Sequence, residues 1–107
     1  MPVKHVVMFG LKDDLTPEQI ETLKSGLIAL KDIIPAIKTY ELGVDLKLEA
    51  GQKHPGGKNR SMCWSVTFDT IADYETYDTH EAHTTLIKDM IKPFSIPGSR
   101  AAVQYEF

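Results

Sequence analysis

The residues best equipped for chemistry are three histidines and a tyrosine. Three of them lie within one short segment, Tyr77-Asp78-Thr79-His80-Glu81-Ala82-His83, and the fourth is His5 near the start of the chain. A histidine with an ordinary pKa of ~6.5 can accept a proton at neutral pH, and a tyrosine hydroxyl can polarise a carbonyl. Such a set could abstract a proton from carbon next to a carbonyl. The same residues also have a plainer use. His80 and His83 can stabilise a helix start, with Tyr77 packed beside them, and a mid-strand His5 can be a hydrogen-bonded core residue. The pattern leaves both readings open.

Other chemistries find less support. His80 and His83 stand three apart with no carboxylate at ligand spacing, so they do not form a metal pair. The run Gly56-Gly57-Lys58-Asn59-Arg60 lacks the full phosphate-loop pattern and reads as a flexible loop, with a lid or an anion contact as its functional alternative. Cys63 has no activating neighbour in the sequence and reads as a small packing residue.

The elements that would position these side chains are legible. Residues 3–9 form a strand with Val3, His5, Val7 and Phe9 on one face and Lys4, Val6 and Met8 on the other. Thr16-Pro17-Glu18-Gln19 is a capping box with proline at the first helical position, flanked by a Leu15–Ile20 staple. Ile20, Leu23, Leu27, Leu30 and Ile34 then mark one helical stripe that Pro35 ends. A strand over 39–44, a loop over 49–61 and a cleanly alternating strand over 62–68 follow. Thr70 caps a helix running to about Asp78. Thr79 is expected to cap another, from His80 to about Ile91, ending before Pro93. Residues 101–107 form the last strand. The order β-α-β-β-α-β predicts a single α+β domain of ferredoxin-like type over 1–107, with helices on one sheet face. The other face carries Val6 and Met8, and a second copy is its simplest cover.

Composition narrows the function classes. The 107 residues carry a net charge of −3 with interspersed signs, so no basic face suggests nucleic acid. No apolar run is long enough to span a bilayer. The N-terminus lacks the apolar stretch of a signal peptide, and one cysteine needs no oxidising compartment, so a cytoplasmic protein is expected.

The start V-K-H-V-V-M-F, the helix end I-I-P-A-I-K, the strand W-S-V-T-F and the segment Y-x-x-H-x-A-H, in that order, resemble the stress-responsive A/B-barrel (Dabb) family. The resemblance implies a dimeric α/β barrel, closed by two four-stranded sheets with helices outside. By likeness to a plant polyketide cyclase of this family, His83 would be the general base, Tyr77 its partner and His5 a second polar wall of the same cleft. Val7, Phe9, Leu27, Trp64, Val66, His80, Leu86 and Phe94 would line that cleft. The family also implies an incidental magnesium ion held by the backbone carbonyls of Lys31, Ile34 and Ile37, with no cofactor required. Trp64 and Lys24 depart from the cyclase, and the 49–61 loop is longer. The cyclase's substrate is therefore not carried over. Three functions follow: a cyclase-, lyase- or isomerase-like enzyme acting on a carbonyl ligand, a stress- or defence-related binder of small apolar ligands, or a structural oligomer.

Overall fold

A computed structural model describes residues 1–107. The elements are β1 (Val3–Phe9), α1 (Pro17–Ile33), β2 (Thr39–Val44), β3 (Met62–Phe68), α2 (Ile71–Thr79), α3 (Glu81–Leu86), a π-helical segment (Ile87–Ile91), α4 (Lys92–Phe94) and β4 (Ala101–Glu106). The sheet is antiparallel throughout, in the order β2-β3-β1-β4. This is a ferredoxin-like α+β fold, with the helices against one face.

Register decides what meets what. Val7 lies opposite Trp64, His5 opposite Val66 on one side and Gln104 on the other. The odd-numbered residues of β1 and the even-numbered residues of β3 therefore share the helix-covered face. There they join Leu23, Leu27, Leu30, Ile34 and Ile37 in one core. Burial of each such side chain contributes roughly 1.5–3 kcal/mol.

Helix α1 begins as its sequence dictates. Thr16 Oγ1 accepts from Gln19 N–H, and Gln19 Oε1 accepts from Thr16 N–H, so the capping box closes in both directions. The helix stops at Ile33, with Ile34 extended ahead of Pro35. Gly26 marks where it approaches α3, because a Cβ there would lie 2.8 Å from Leu86 Cδ1.

The second helical region differs from the sequence expectation in two respects. Helix α2 runs through Thr79, whose hydroxyl donates back to the Glu75 carbonyl. The cap of α3 is instead His80, whose Nδ1 accepts the Ala82 N–H at 3.0 Å. A ring nitrogen two residues back can do what a cap hydroxyl does, and Thr79 is already committed to the preceding turn. The helical run also continues past Pro93 to Phe94. Lys92 N–H reaches the Ile87 carbonyl, a π-type bond that widens the turn just before the proline. The wider turn relieves the clash that proline makes with the carbonyl four residues back.

The uncovered sheet face carries Val6 and Met8, as expected, together with Cys63 and Ser65. Strand β4 adds more apolar surface to it: Val103 and Tyr105 lie across from Val6 and Lys4 and are about half exposed, at 54% and 48%. Phe107 continues that row beside Tyr105, under the Lys4 ammonium. No helix of the chain is long and apolar enough to cross a membrane.

Candidate functional site

A cavity of ≈ 500 Å³ opens between the sheet and the α2–α4 region. Its floor is Val7, Phe9 and Trp64 from the sheet. Its polar wall is His5, Tyr77 and His83, with Asp78 beside them. Ile87 and Ile91 reach it from the π-helical segment and Lys92 from the start of α4, and Ser95–Gly98 and Arg100 complete the lining. The π turn matters here, because a regular α-helix would carry Ile91 and Lys92 to different angular positions.

The three polar rings are fixed by partners. His83 Nδ1 lies 3.0 Å from the Asp78 backbone carbonyl, which can only accept, so Nδ1 bears the proton. A neutral His83 then carries its lone pair on Nε2. His5 has the opposite tautomer. Gln104 Nε2 donates to His5 Nδ1 at 2.7 Å, which leaves the proton on His5 Nε2. Neither Nε2 has a protein partner, yet no fully buried side-chain nitrogen or oxygen is unpaired. Both Nε2 atoms are therefore accessible, on rings that form the cavity wall. One is an acceptor and the other a donor.

Tyr77 is stacked on His83, with ring centroids 4.2 Å apart, and its hydroxyl accepts the Trp64 indole N–H at 3.0 Å. Its own hydroxyl proton remains available as a donor. His5 lies against both Tyr74 and Tyr77, at 5.2 Å and 6.0 Å between centroids.

The electrostatics keep both histidines neutral. Burial lowers His5 to a pKa of about 4, and the Arg100 and His83 charges push the same way, opposed by Asp78. Burial also lowers His83, opposed by its hydrogen bond to the Asp78 carbonyl. Burial pushes Tyr77 up to about 12, against the stabilising Trp64 hydrogen bond. Near neutral pH the cavity thus holds a neutral imidazole acceptor, a neutral imidazole donor and an un-ionised phenol.

The residues singled out from sequence divide between the cavity and its surroundings. His5, Val7, Phe9, Trp64, Tyr77 and His83 meet on its wall. Leu27, Val66 and Leu86 lie behind it in the core, and Phe94 packs against that core. His80 is turned to its capping bond and is not on the wall. Lys24 pairs with Glu21 on the surface of α1. None of residues 49–61 reaches this cavity. Gly56–Arg60 instead border a cleft of ≈ 610 Å³ with Met8, Met62 and Cys63, which has no histidine or tyrosine in its wall. Lys31, Ile34 and Ile37 are also away from the cavity. The Ile34 carbonyl already accepts the Ile37 N–H, and magnesium is usually held by one or two carboxylates rather than by carbonyls alone. No group of three histidine, cysteine, aspartate or glutamate side chains is placed to hold a metal.

Sequence reasoning missed Asp78, Lys92, Arg100 and Gln104. Pro97-Gly98 is a turn signal beside the far wall, but nothing local in the sequence marks a cation or an amide as cavity-facing.

The model of the stress-responsive A/B barrel domain matches residues 3–107. The chain belongs to the Dabb family. It is 33% identical over 82 residues to the stress-response A/B barrel domain-containing protein HS1 of Arabidopsis thaliana, covering 77% of this chain and 71% of that one. It is 31% identical over 86 residues to olivetolic acid cyclase of Cannabis sativa, covering 78% and 77%. Among solved structures, a dimeric ferredoxin-like protein of unknown function from Thermobifida fusca superposes with a TM-score of 0.80 at 29% identity, covering 100% of this chain and 92% of that one.

Proposed function

We infer that this Dabb protein is a homodimeric cytoplasmic enzyme that removes a proton from carbon beside a carbonyl of a small ligand, with His83 as general base. The observation that carries this reading is the pairing of tautomers: His83 Nε2 is free to accept while His5 Nε2–H and Tyr77 O–H are free to donate. In the proton-abstraction step the C–H bond breaks and the proton goes to His83 Nε2. The electron pair moves onto the carbonyl oxygen, where a donated hydrogen bond from His5 or Tyr77 stabilises the enolate. The carbanion can then attack a second carbonyl of the same molecule and close a ring, its C=O π bond breaking to an alkoxide that takes the proton back from His83, or it can expel a β leaving group that takes that proton. Likeness to a cyclase across most of the chain favours ring closure. The floor of Val7, Phe9 and Trp64 suits an apolar segment of that ligand, though the indole restricts its length. The dimer would form by pairing the faces that carry Val6, Met8, Val103 and Tyr105. A cation at the Lys31, Ile34 and Ile37 carbonyls is incidental to this proposal.

The test is deuterium uptake at carbon flanking the carbonyl, followed by NMR across a panel of β-keto and poly-β-keto compounds. A positioned base contributes ~10²–10⁴-fold, so His83→Ala should lose exchange by about that factor. His80→Ala should lose little, because its ring caps a helix away from the cavity. Full exchange in His83→Ala would remove this residue from the chemistry. Saturable binding with no exchange on any compound would favour a ligand-binding protein.

A further inference from the structure

The rim of the cavity carries two cations that the proton-abstraction chemistry does not use. Arg100 and Lys92 both line it, Lys92 from the start of α4 and Arg100 from the residue just before β4, and both are exposed. The two ion pairs of the chain are Lys24–Glu21 and Lys38–Asp69, so neither rim cation is paired. The Arg100 side chain makes no hydrogen bond either. Asp78 is the one acidic residue among the lining residues, so the two cations leave a net positive charge there.

The backbone beneath Arg100 is fastened. Ser99 Oγ accepts the Gly10 N–H at 2.9 Å and donates to the Ile96 carbonyl at 2.6 Å. Ile96 N–H donates to the Gly10 carbonyl at 2.8 Å, and Arg60 Nε donates to the Ser99 carbonyl at 2.6 Å. Gly98, at φ +78, makes the turn that lets the chain double back. A guanidinium held at its root and free at its tip, beside the cavity, is arranged for a ligand rather than for stability. Lys92 owes its place on the wall to the π turn. The guanidinium fork matches a carboxylate with two parallel hydrogen bonds, and Lys92 adds a second donor.

The geometry points to a carboxylate-binding subsite formed by Arg100 and Lys92 at the cavity mouth, which makes the ligand a keto acid with its carboxylate at the rim and its carbonyl facing His83 and His5. This deepens the proton-abstraction reading and rests on it for the placement of the carbonyl. An occupied subsite would also screen the Arg100 charge, which otherwise depresses the basicity of His83.

The test is an NMR titration of the protein with levulinate and, separately, with methyl levulinate, which keeps the ketone and removes the negative charge. Levulinate should bind about tenfold or more tighter than the ester, with shifts in the Arg100 side chain and the His83 ring. Arg100→Ala and Lys92→Ala together should abolish that preference, and Arg100→Lys should retain part of it. His83→Ala should leave the acid-over-ester ratio unchanged while removing deuterium exchange. Equal binding of acid and ester would overturn the subsite alone, as would a preference that survives the double substitution. No binding of either compound would overturn it too. Inorganic phosphate displacing levulinate at a lower concentration than levulinate itself requires would overturn its assignment to a carboxylate. Acid-selective binding without His83-dependent exchange would keep the subsite and discard the base.

Discussion

Tyr77→Phe isolates the hydrogen bond that joins the cavity floor to its polar wall. Tyr77 is 1% exposed and Trp64 is 1% exposed, and the indole N–H has the Tyr77 hydroxyl as its partner at 3.0 Å. Phenylalanine keeps the ring and its stacking on His83 but leaves the indole N–H buried without an acceptor. An unsatisfied buried donor costs about 1–3 kcal/mol. For a domain near this size each kcal/mol moves Tm by roughly 4 °C or somewhat more, so Tm should fall by ~4–12 °C. Thermal and urea unfolding monitored by circular dichroism and tryptophan fluorescence would measure it. Trp64→Phe, and the double variant, complete a cycle, and the double loss should fall short of the sum of the singles by roughly 1 kcal/mol or more. Strict additivity, or a Tyr77→Phe variant as stable as the parent, would refute the claim that this bond matters in the folded chain. The cycle also has a functional use. Activity lost in Tyr77→Phe belongs to chemistry only beyond what the same loss of stability explains.

Thr16→Ala removes the acceptor of the Gln19 N–H and should cost about 1 kcal/mol by urea unfolding, without changing the dimer. Met8→Asp or Val103→Asp should convert the dimer to monomer or unfold it, as read by sedimentation, because each places a charge on the uncovered apolar face. His5 should make the protein acid-labile. Its folded pKa is about 4 against 6.5 unfolded, so between those values the unfolded chain binds a proton that the folded chain refuses. Stability then falls as pH drops through that window, by up to on the order of 3 kcal/mol, and His83 acts in the same direction. Unfolding free energies across pH 4–7 should show that slope, and His5→Gln should flatten it; an equal slope in the variant would place its origin elsewhere.

What the sequence disclosed and what it withheld follow from the range of the interactions. The bounds of β1, β2, β3 and α1 are written in alternation, in the Thr16 capping box and in Pro35, signals that act within a few residues. The cap of α3 was missed by one residue because Thr79 and His80 are both competent, and only the turn that Thr79 already closes decides between them. The π turn is a compromise between helix packing and Pro93, and has no periodic signature. The site's tautomers depend on Gln104, which lies 99 residues from His5 and meets it only through strand register. Arg100 reads as an ordinary surface cation until Ser99 and Arg60 are seen to hold its backbone. Apolar residues such as Leu27 and Val66 were placed on the right side of the sheet, but which of them face a void and which face each other is set by packing alone.

At neutral pH His83 presents an unprotonated Nε2 to the cavity. Nitrogen-15 NMR of the histidine rings reads this directly, since protonated and unprotonated ring nitrogens resonate far apart. The spectrum should show a neutral His83 with the proton on Nδ1, held by the Asp78 carbonyl, and His5 as the opposite tautomer with its proton on Nε2. A His83 ring protonated at Nε2, whether as the other neutral tautomer or as imidazolium, would contradict it.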